Sequence, residues 1–252
     1  MNTRLDRPVV RPKALLVDLD DTIISDSNAA AGVWAAAVEA AAQRVTLPVQ
    51  AVQRAIEKQR AWYWSDAERH RVGRADLASA RREIVTAAAR EAEIPALDLP
   101  VAVETILAEY TAGAEAARRL LPGALEALCA IADSGVRMAL VTNGPAAAQR
   151  AKIDRFGLAS LFEVIVIEGE FGLGKPEVPV YAHALRCLRV EASEAWMVGD
   201  NLEWDVTTPR RLGMRGIWIK PTGAADADDE RADAILPDLS ALAALISSTP
   251  EA

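Results

Sequence analysis

The first apolar run of the chain ends abruptly in acidic residues. Residues 14–17 are all apolar, and Asp18, Asp20 and Asp21 follow within four positions. A short, fully apolar run of this kind predicts a buried strand of a parallel sheet, covered on both faces. Ligands of open α/β folds lie beyond the carboxyl ends of such strands, so we expect these acids to face a crevice. Because an unpaired buried charge is costly, a compensating group is needed, and a hard cation with oxygen ligands is the simplest candidate.

The next stretch of the chain, up to about residue 120, has apolar positions at helical spacing and no strand-like alternation. This pattern predicts an all-helical segment inserted after the first strand. We therefore assign residues 26–114 to a helical cap domain, and residues 1–25 with 115–252 to the core. The predicted helices of the insertion cover about residues 29–44, 49–62, 75–92 and 101–117.

The second half of the chain alternates between short apolar runs and helical patterns. Strands are predicted at about residues 136–141, 164–167, 196–198, 216–219 and just after 234. Such alternation predicts an α/β core with a doubly wound parallel (Rossmann-like) sheet. One of the intervening helices is predicted to reach Leu212, with Gly213 as its C′ residue. Pro209 is then expected to kink that helix.

The composition is that of an ordinary globular protein, with 51% hydrophobic and 25% charged residues among 252. A net charge of −8 disfavours nucleic acid as a partner. The N-terminal residues lack the apolar core of a signal peptide, and no run is long enough for a membrane span. Two cysteines, Cys129 and Cys187, imply no disulfide framework and are expected to be buried thiols. The chain is therefore expected to be cytoplasmic; its oligomeric state stays open.

Four polar clusters lie at the ends of predicted strands or in the loops beside them. Because the carboxyl ends of parallel strands meet at one edge of a sheet, all four are expected to converge there. Each cluster alone is a weak signal, but their joint occurrence in this order is a strong one. The clusters are Asp18-x-Asp20-x-Thr22, Thr142-Asn143-Gly144, Gly174-Lys175-Pro176, and Gly199-Asp200-Asn201 with Asp205 beyond.

With these clusters, the sequence resembles the haloacid dehalogenase (HAD)-like hydrolase superfamily, most of whose members are magnesium-dependent phosphatases. The resemblance covers nearly the whole chain, and it implies that the helical insertion is the family's first class of cap domain. The four clusters match the family's four motifs in order, the first at Asp18 to Thr22, the second at Thr142, the third at Lys175 and the fourth at Gly199 to Asp205.

The resemblance also implies a Mg²⁺ cofactor. Asp18 and Asp200 would supply its carboxylate ligands, and Asp20 its backbone carbonyl. Asn201 and Asp205 would not bind the metal directly, and would instead orient water molecules or Lys175. Mg²⁺ prefers oxygen ligands and commonly takes only one or two carboxylates together with substrate phosphate, which agrees with this set.

The residue types suit phosphoryl transfer. An ionised Asp18 can attack phosphorus and form an aspartyl-phosphate. Asp20 can protonate the leaving oxygen and then take a proton from the hydrolytic water. That role requires a protonated carboxyl, so we expect the pKa of Asp20 to lie above the ~3.9 of free aspartate.

Phosphate binding is expected from the second and third clusters. The Thr142 hydroxyl, the backbone N–H groups of Asn143 and Gly144, and the Lys175 ammonium would contact the equatorial oxygens. The helix that begins near Pro145 would add its positive end. This local positive charge would let an acidic protein hold an anionic substrate.

The cap contains an aromatic and arginine-rich stretch near residues 62–74. Two interpretations stay open. Trp62, Tyr63 and Arg69 contact the substrate in one, with the aromatics lining a pocket and the arginine binding a second anion. In the other, the aromatic rings pack the cap helices together and the arginines face solvent.

The sequence therefore predicts a Mg²⁺-dependent phosphomonoesterase that acts on a small phosphorylated metabolite. A haloacid dehalogenase needs no metal and no acid at position 20, so Asp20 and Asp200 argue against it. A sugar-phosphate mutase stays open because it differs in the cap rather than the core. A catalytically idle binding protein on this fold is the alternative from another class, although no nucleophile or metal ligand is missing.

Overall fold

A computed structural model of the chain describes residues 10–25, 30–220 and 230–250. The chain divides into two compact units, one from Met1–Ser25 with Leu120–Ala252 and the other from Asp26–Arg119. The assignment of the second unit as a cap domain stays a prediction. Within the described residues, no helix combines the length and apolar character needed to cross a membrane.

The first unit is built on a six-stranded sheet, in the order β5-β4-β1-β6-β7-β8, and every neighbouring pair is parallel. The prediction of a doubly wound α/β core is therefore confirmed. Chain order runs outward from β1 to β5 on one side and then from β6 to β8 on the other, which places a topological switch beside β1. The strands are β1 (Ala14–Val17), β4 (Arg137–Thr142), β5 (Val164–Ile167), β6 (Ala195–Gly199), β7 (Arg215–Ile219) and β8 (Ala234–Leu236).

The central strand, β1, is buried on both faces, which explains its unbroken apolar run. Leu15 and Val17 belong to a core cluster that includes residues of the helices α6 (Ala124–Asp133) and α11 (Leu239–Ser248). Leu16 lies in the cluster on the opposite face, which includes residues of α9 (Val178–Leu188). Successive side chains of a strand point to opposite faces, so both faces require apolar residues here.

Several shorter elements of this unit depart from the predicted ones. A one-turn helix directly follows β5, and two short strands that were not predicted pair in a separate sheet. The remaining bounds are β2 (Ile24–Ser25), β3 (Arg119–Leu120), α7 (Ala146–Arg155), α8 (Glu168–Phe171) and α10 (Thr208–Arg211).

Pro209 does not kink a continuous helix as predicted. Residues Leu202–Thr207 form a π-helical segment, and α10 begins only at Thr208. Pro209 therefore lies in the first helical turn of α10, where a missing N–H costs little. Gly213 follows the end of α10 with φ +94, as expected for a C′ glycine.

The second unit contains five helices within the described residues. Its core includes the stacked rings of Trp34 and Tyr110, whose centroids are 3.7 Å apart. The helices are α1 (Ala30–Ala42), α2 (Val49–Trp64), α3 (Ala67–Ala75), α4 (Leu77–Glu91) and α5 (Leu99–Ala117). The predicted third helix corresponds to α4, which Asp76 caps by accepting the Ser79 N–H, and a further helix that was not predicted, α3, precedes it.

The two cysteines are exposed, so the prediction that they are buried thiols is wrong. Each follows or precedes a fully buried leucine by one position, Leu128 beside Cys129 and Leu188 beside Cys187. One residue along a helix rotates the side chain by roughly 100°, which carries each thiol off the buried stripe. An apolar neighbourhood in sequence was therefore a poor guide to the burial of these side chains.

Candidate active site

The site forms where β1, β4 and β6 end. Val17 is in register with Leu140 on one side and with Val198 on the other. The residues that follow these strands therefore emerge at the same edge of the sheet. Oxygen atoms of Asp18, Asp200 and Asp205 all lie within 4.8 Å of one another.

Lys175 joins two of these acids. Its ammonium lies 2.6 Å from Asp18 Oδ1 and 2.6 Å from Asp205 Oδ1, and the side chain is almost fully buried. Burial alone would lower the pKa of Lys175, but the two carboxylates outweigh it and raise that pKa. Lys175 is therefore a permanent cation at the centre of the site.

Asp18 is buried, and both of its carboxylate oxygens contact side-chain donors. Burial raises its pKa to about 6, and the Asp205 carboxylate adds to the rise while Lys175 opposes it. Its second oxygen, Oδ2, accepts a hydrogen bond of 3.2 Å from the Thr22 hydroxyl. Thr22 thus orients the carboxylate. Asp21, which has no role in the predicted site, has a left-handed φ of 58.

Asp205 is held by the π-helical segment that contains it. Its Oδ1 accepts from Lys175, and its Oδ2 accepts from the backbone N–H of Asn201 at 3.0 Å. The Asn201 side chain caps the same segment by accepting the N–H groups of Glu203 and Trp204. Both Asp205 oxygens therefore face protein donors, which suits a residue that fixes Lys175.

We predict that Gly199→Ala displaces Asp205. A Cβ at Gly199 would lie 2.2 Å from Asp205 Oδ2, so this carboxylate, which contacts Lys175, would have to shift. We expect kcat to fall by roughly 10-fold or more and stability to fall by about 1–3 kcal/mol. Enzyme assays and urea unfolding measure both quantities. The control is Gly32→Ala in α1, where a Cβ meets nothing within 4 Å; equal losses in the two variants would contradict the prediction.

Asp200 lies at the solvent-accessible side of the cluster. Desolvation by the surrounding protein raises its pKa to about 8, and repulsion from Asp18, Asp205 and Asp21 adds to the rise. Its backbone carbonyl accepts from the indole N–H of Trp218 at 2.8 Å. A bound cation would stabilise the ionised form of Asp200 and so lower its raised pKa.

Asp20 is held by two side chains of α7. Lys152 Nζ lies 2.6 Å from Asp20 Oδ1, and Gln149 Nε2 lies 2.9 Å from Asp20 Oδ2. The same Gln149 nitrogen is 2.6 Å from the Thr142 hydroxyl. Neither α7 residue was identified from the sequence. Their only signal there was their spacing of three, which places two polar side chains on one helix face.

The second polar cluster contributes to the site in two ways that the sequence did not predict. The Asn143 amide pairs with the backbone of Lys175, donating to its carbonyl and accepting from its N–H, both at 2.7 Å. Asn143 therefore holds the Lys175 loop. The Gly144 N–H donates to Glu168 Oε2 at 2.9 Å, so a carboxylate contacts the donor that was expected to bind phosphate.

The structure places the three predicted cap contacts within the helical unit. The Tyr63 ring is buried beside Trp64, with centroids 5.0 Å apart. The Arg69 guanidinium lies 3.9 Å from the centroid of the Trp62 ring and donates to the carbonyls of Trp62 and Tyr63. Trp62 is 51% exposed. These contacts match the packing interpretation for Tyr63, and a substrate contact by Trp62 or Arg69 stays a prediction.

Comparison with known proteins gives a match over most of the chain. A family model described as a haloacid dehalogenase-like hydrolase matches residues 12–213. Phosphoserine phosphatase of Thermus thermophilus is 40% identical over 105 residues, 40% of this chain and 42% of that protein. Glyceraldehyde 3-phosphate phosphatase of Methanopyrus kandleri is 28% identical over 90% of this chain and 91% of that protein. The chain spans about half the length, or less, of the first curated relatives it matches.

Two solved structures resemble the chain at the level of the fold. A HAD phosphatase from Thermococcus onnurineus has a TM-score of 0.62 and 22% identity, with 94% of this chain and 98% of that chain covered. A 2-haloacid dehalogenase from Pseudomonas syringae has a TM-score of 0.62 and 23% identity, with 95% and 99% covered. Because a phosphatase and a dehalogenase are equally similar in fold, the reaction must be argued from the site.

Proposed function

Because the chain belongs to the haloacid dehalogenase-like hydrolase family, we propose that it is a Mg²⁺-dependent phosphatase of small phosphorylated metabolites. The observation that carries the proposal is the set of groups around the Asp18 carboxylate. This carboxylate contacts a buried ammonium, lies beside a second acidic group that needs a cation, and is followed two positions on by Asp20. Relatives named as phosphatases support the same reaction. The two free cysteines agree with a cytoplasmic location.

The reaction proceeds in two steps. Asp18 attacks phosphorus while the bond to the leaving oxygen breaks, and that oxygen takes the proton of Asp20. The products are the alcohol and an aspartyl-phosphate. Asp20, now a carboxylate, takes a proton from a water molecule as the water oxygen attacks phosphorus. This step releases phosphate, and it restores the Asp18 carboxylate and the Asp20 acid.

The donor set fits Mg²⁺. Three carboxylates, those of Asp18, Asp200 and Asp205, face one ammonium, that of Lys175, which leaves two negative charges when all are ionised. Oxygen ligands and this charge suit a divalent cation. Asp18, Asp200 and the backbone carbonyl of Asp20 would hold the ion, which supplies charge neutralisation at the phosphate when bound.

The phosphate oxygens need donors as well as a cation. Thr142 offers its hydroxyl beside Gln149, and Lys175 offers its ammonium next to Asp18. The Gly144 N–H becomes a donor to phosphate only if Glu168 moves away from it. We therefore assign Lys175 and Thr142 to phosphate binding, with the Asn143 backbone N–H as an additional donor.

The dehalogenase alternative is disfavoured by the acids that it does not need. Carbon–halogen cleavage requires neither a proton donor at position 20 nor a metal-binding carboxylate at position 200. In this chain Asp20 is held by two side-chain donors, and Asp200 lies within the acidic cluster. Both arrangements serve phosphoryl transfer.

The test of the function is hydrolysis of an aryl phosphate with and without Mg²⁺. We expect turnover that is lost on treatment with EDTA and regained when Mg²⁺ is added. Metal-independent turnover, or release of halide from a 2-haloacid, would contradict the proposal. A panel of phosphorylated sugars, glycerates and amino acids then ranks substrates by kcat/KM, and a mutase would be revealed by isomerisation of a sugar phosphate instead of release of phosphate.

Metal binding has its own prediction, read from thermal stability. The pKa of Asp200 is raised to about 8, so its folded form holds a proton that the unfolded chain releases. Metal-free protein should therefore lose stability as the pH rises from about 4 to 8. Mg²⁺ at about 100 times its Kd is expected to add ~2.7 kcal/mol, which corresponds to roughly 5–10 °C in Tm.

The matched variants for this prediction are Asp200→Asn and Asp154→Asn. Asp200→Asn should raise the Tm of the metal-free protein at alkaline pH and remove the response to Mg²⁺. Asp154 is exposed on α7, so its substitution should leave that response intact. A full Mg²⁺ response in Asp200→Asn, measured by differential scanning calorimetry, would exclude Asp200 as a ligand.

A further inference from the structure

Helix α7 turns two polar side chains inward. Gln149 is 2% exposed and Lys152 is 6% exposed, although both residue types are usually found at the surface. A buried ammonium or amide is costly unless it is paired. Arg150, which lies between them and is half-buried, pairs instead with Glu170. Burial of Gln149 and Lys152 therefore requires polar partners outside α7.

Their partner is Asp20. Lys152 Nζ contacts one carboxylate oxygen at 2.6 Å, and Gln149 Nε2 contacts the other at 2.9 Å. Two donors on different oxygens restrict rotation of the carboxylate about its own axis as well as its position. Asp20 retains 28% side-chain exposure, so the group held in this way still faces solvent.

Gln149 also links Asp20 to the phosphate-binding loop. Its amide nitrogen lies 2.6 Å from the Thr142 hydroxyl oxygen and 3.0 Å from the Asn143 carbonyl. One side chain thus contacts both the proposed acid–base group and the proposed phosphate ligand. Asp20 would act on the leaving oxygen and Thr142 would bind the phosphate group, and Gln149 contacts both residues.

We propose that Gln149 and Lys152 are positioning residues for catalysis. Lys152 holds the Asp20 carboxyl group where the leaving oxygen departs, and Gln149 fixes the distance between that carboxyl group and Thr142. Neither touches the reacting atoms. The inference rests on the proposed phosphatase function, since Asp20 must act as acid and base for its position to matter.

Position matters because proton transfer requires hydrogen-bond contact in the transition state. A displacement of about 1 Å costs roughly 100-fold in rate, and general acid–base catalysis is worth about 10²–10⁴-fold. A poor leaving group needs the proton more than a good one. Loss of the support should therefore slow esters in proportion to the basicity of their leaving groups, which a general loss of folding would not do.

The experiment compares phenyl phosphate with dinitrophenyl phosphate, whose leaving group departs without a proton. For Lys152→Met we expect kcat/KM to fall about 30- to 100-fold with phenyl phosphate and less than about 3-fold with dinitrophenyl phosphate. A burst of dinitrophenol should precede slower steady turnover, because Asp20 also activates the hydrolytic water. Arg150→Met, on the same helix, should match wild type with both esters.

A double-mutant cycle isolates the route of the effect. If Lys152 acts through Asp20, then Lys152→Met should cause less than about a 3-fold further loss in the Asp20→Asn background. Gln149→Leu should add a rise in KM of about 3- to 10-fold with both esters, since it also removes a contact to Thr142. Melting temperatures of all variants show whether each is folded.

The outcomes separate the two proposals. An equal loss with both esters, or a full loss in the Asp20→Asn background, would overturn the positioning roles while leaving an active Asp18-dependent phosphatase. A wild type that hydrolyses no phosphate ester would overturn the proposed function and the positioning roles together. A loss confined to phenyl phosphate and absent from the Asp20→Asn background would support both.

Discussion

Asp18→Asn is expected to lower kcat for phosphate ester hydrolysis by about 10⁴-fold or more. An amide cannot attack phosphorus, and no neighbouring group replaces it, because Asp205 already accepts from Lys175 and from the Asn201 N–H. The variant should remain folded. Burial raises the pKa of Asp18 to about 6, so a neutral group of the same shape is tolerated at this position.

The matched control is Asp21→Asn, the same chemical change three positions further on. Asp21 has a φ of 58, a region that asparagine adopts more readily than most residues. Because it has no assigned part in the reaction, activity should stay within about 3-fold of wild type. Steady-state assays with Mg²⁺ measure both variants. More than about 1% residual activity in Asp18→Asn would exclude this carboxylate as the nucleophile.

The second large effect concerns Lys175→Met, which is expected to abolish activity and to destabilise the fold. The substitution leaves Asp18 and Asp205 buried without their shared ammonium. Removing one partner of a buried ion pair costs about 3–5 kcal/mol. Urea unfolding of the metal-free protein measures the loss. Lys58→Met, which breaks only the exposed contact with Glu91, should cost less than about 1 kcal/mol.

The loss in Lys175→Met should depend on pH in a defined direction. Without the ammonium, the pKa of Asp18 rises further above its value in the unfolded chain, because Lys175 is the group that lowers it. Folded protein then holds protons that the unfolded chain releases, so stability falls as the pH rises. The difference from wild type should therefore be larger at pH about 8 than at pH about 5. A difference independent of pH would contradict the proposed charge balance.

The convergence of the main polar groups was predictable from the sequence. Asp18, Thr142 and Asp200 follow apolar runs typical of buried strands, and parallel strands present their carboxyl ends at one edge. The same rule placed the Lys175 cluster at this edge, although Lys175 lies in a loop after β5, and the resemblance to a family gave Lys175 its role. The structure puts its ammonium 2.6 Å from Asp18.

The support of the site was not predictable from pattern. Gln149 and Lys152 are ordinary polar residues of a predicted helix, whose polar face is usually solvated, and Glu168 simply follows a predicted strand. Only the folded structure brings Gln149 to Thr142, Lys152 to Asp20 and Glu168 to the Gly144 N–H. The π-helical segment Leu202–Thr207 was missed for a related reason. Its geometry depends on an i→i+5 pattern that periodicity at 3.6 residues does not contain.

In the helical unit, apolar periodicity failed to predict one helix. Helix α3 has the sequence AERHRVGRA, which has too few apolar residues to form a stripe, so its pattern gave no helix. Asp66 nevertheless caps it by accepting the Arg69 N–H at 2.8 Å. Asp66 and Asp76 are typical N-cap residues, but a cap residue alone, without apolar periodicity after it, does not predict a helix.

The central claim is that Asp18 becomes phosphorylated during turnover. It is tested most directly by quenching the reaction with borohydride, which reduces an aspartyl-phosphate to homoserine, and by locating that residue with peptide mass spectrometry. We predict homoserine at position 18 when a phosphate ester and Mg²⁺ are both present, and its accumulation in Lys152→Met. Formation of alcohol and phosphate with no modification at Asp18, or with a modification at another residue, would contradict the account.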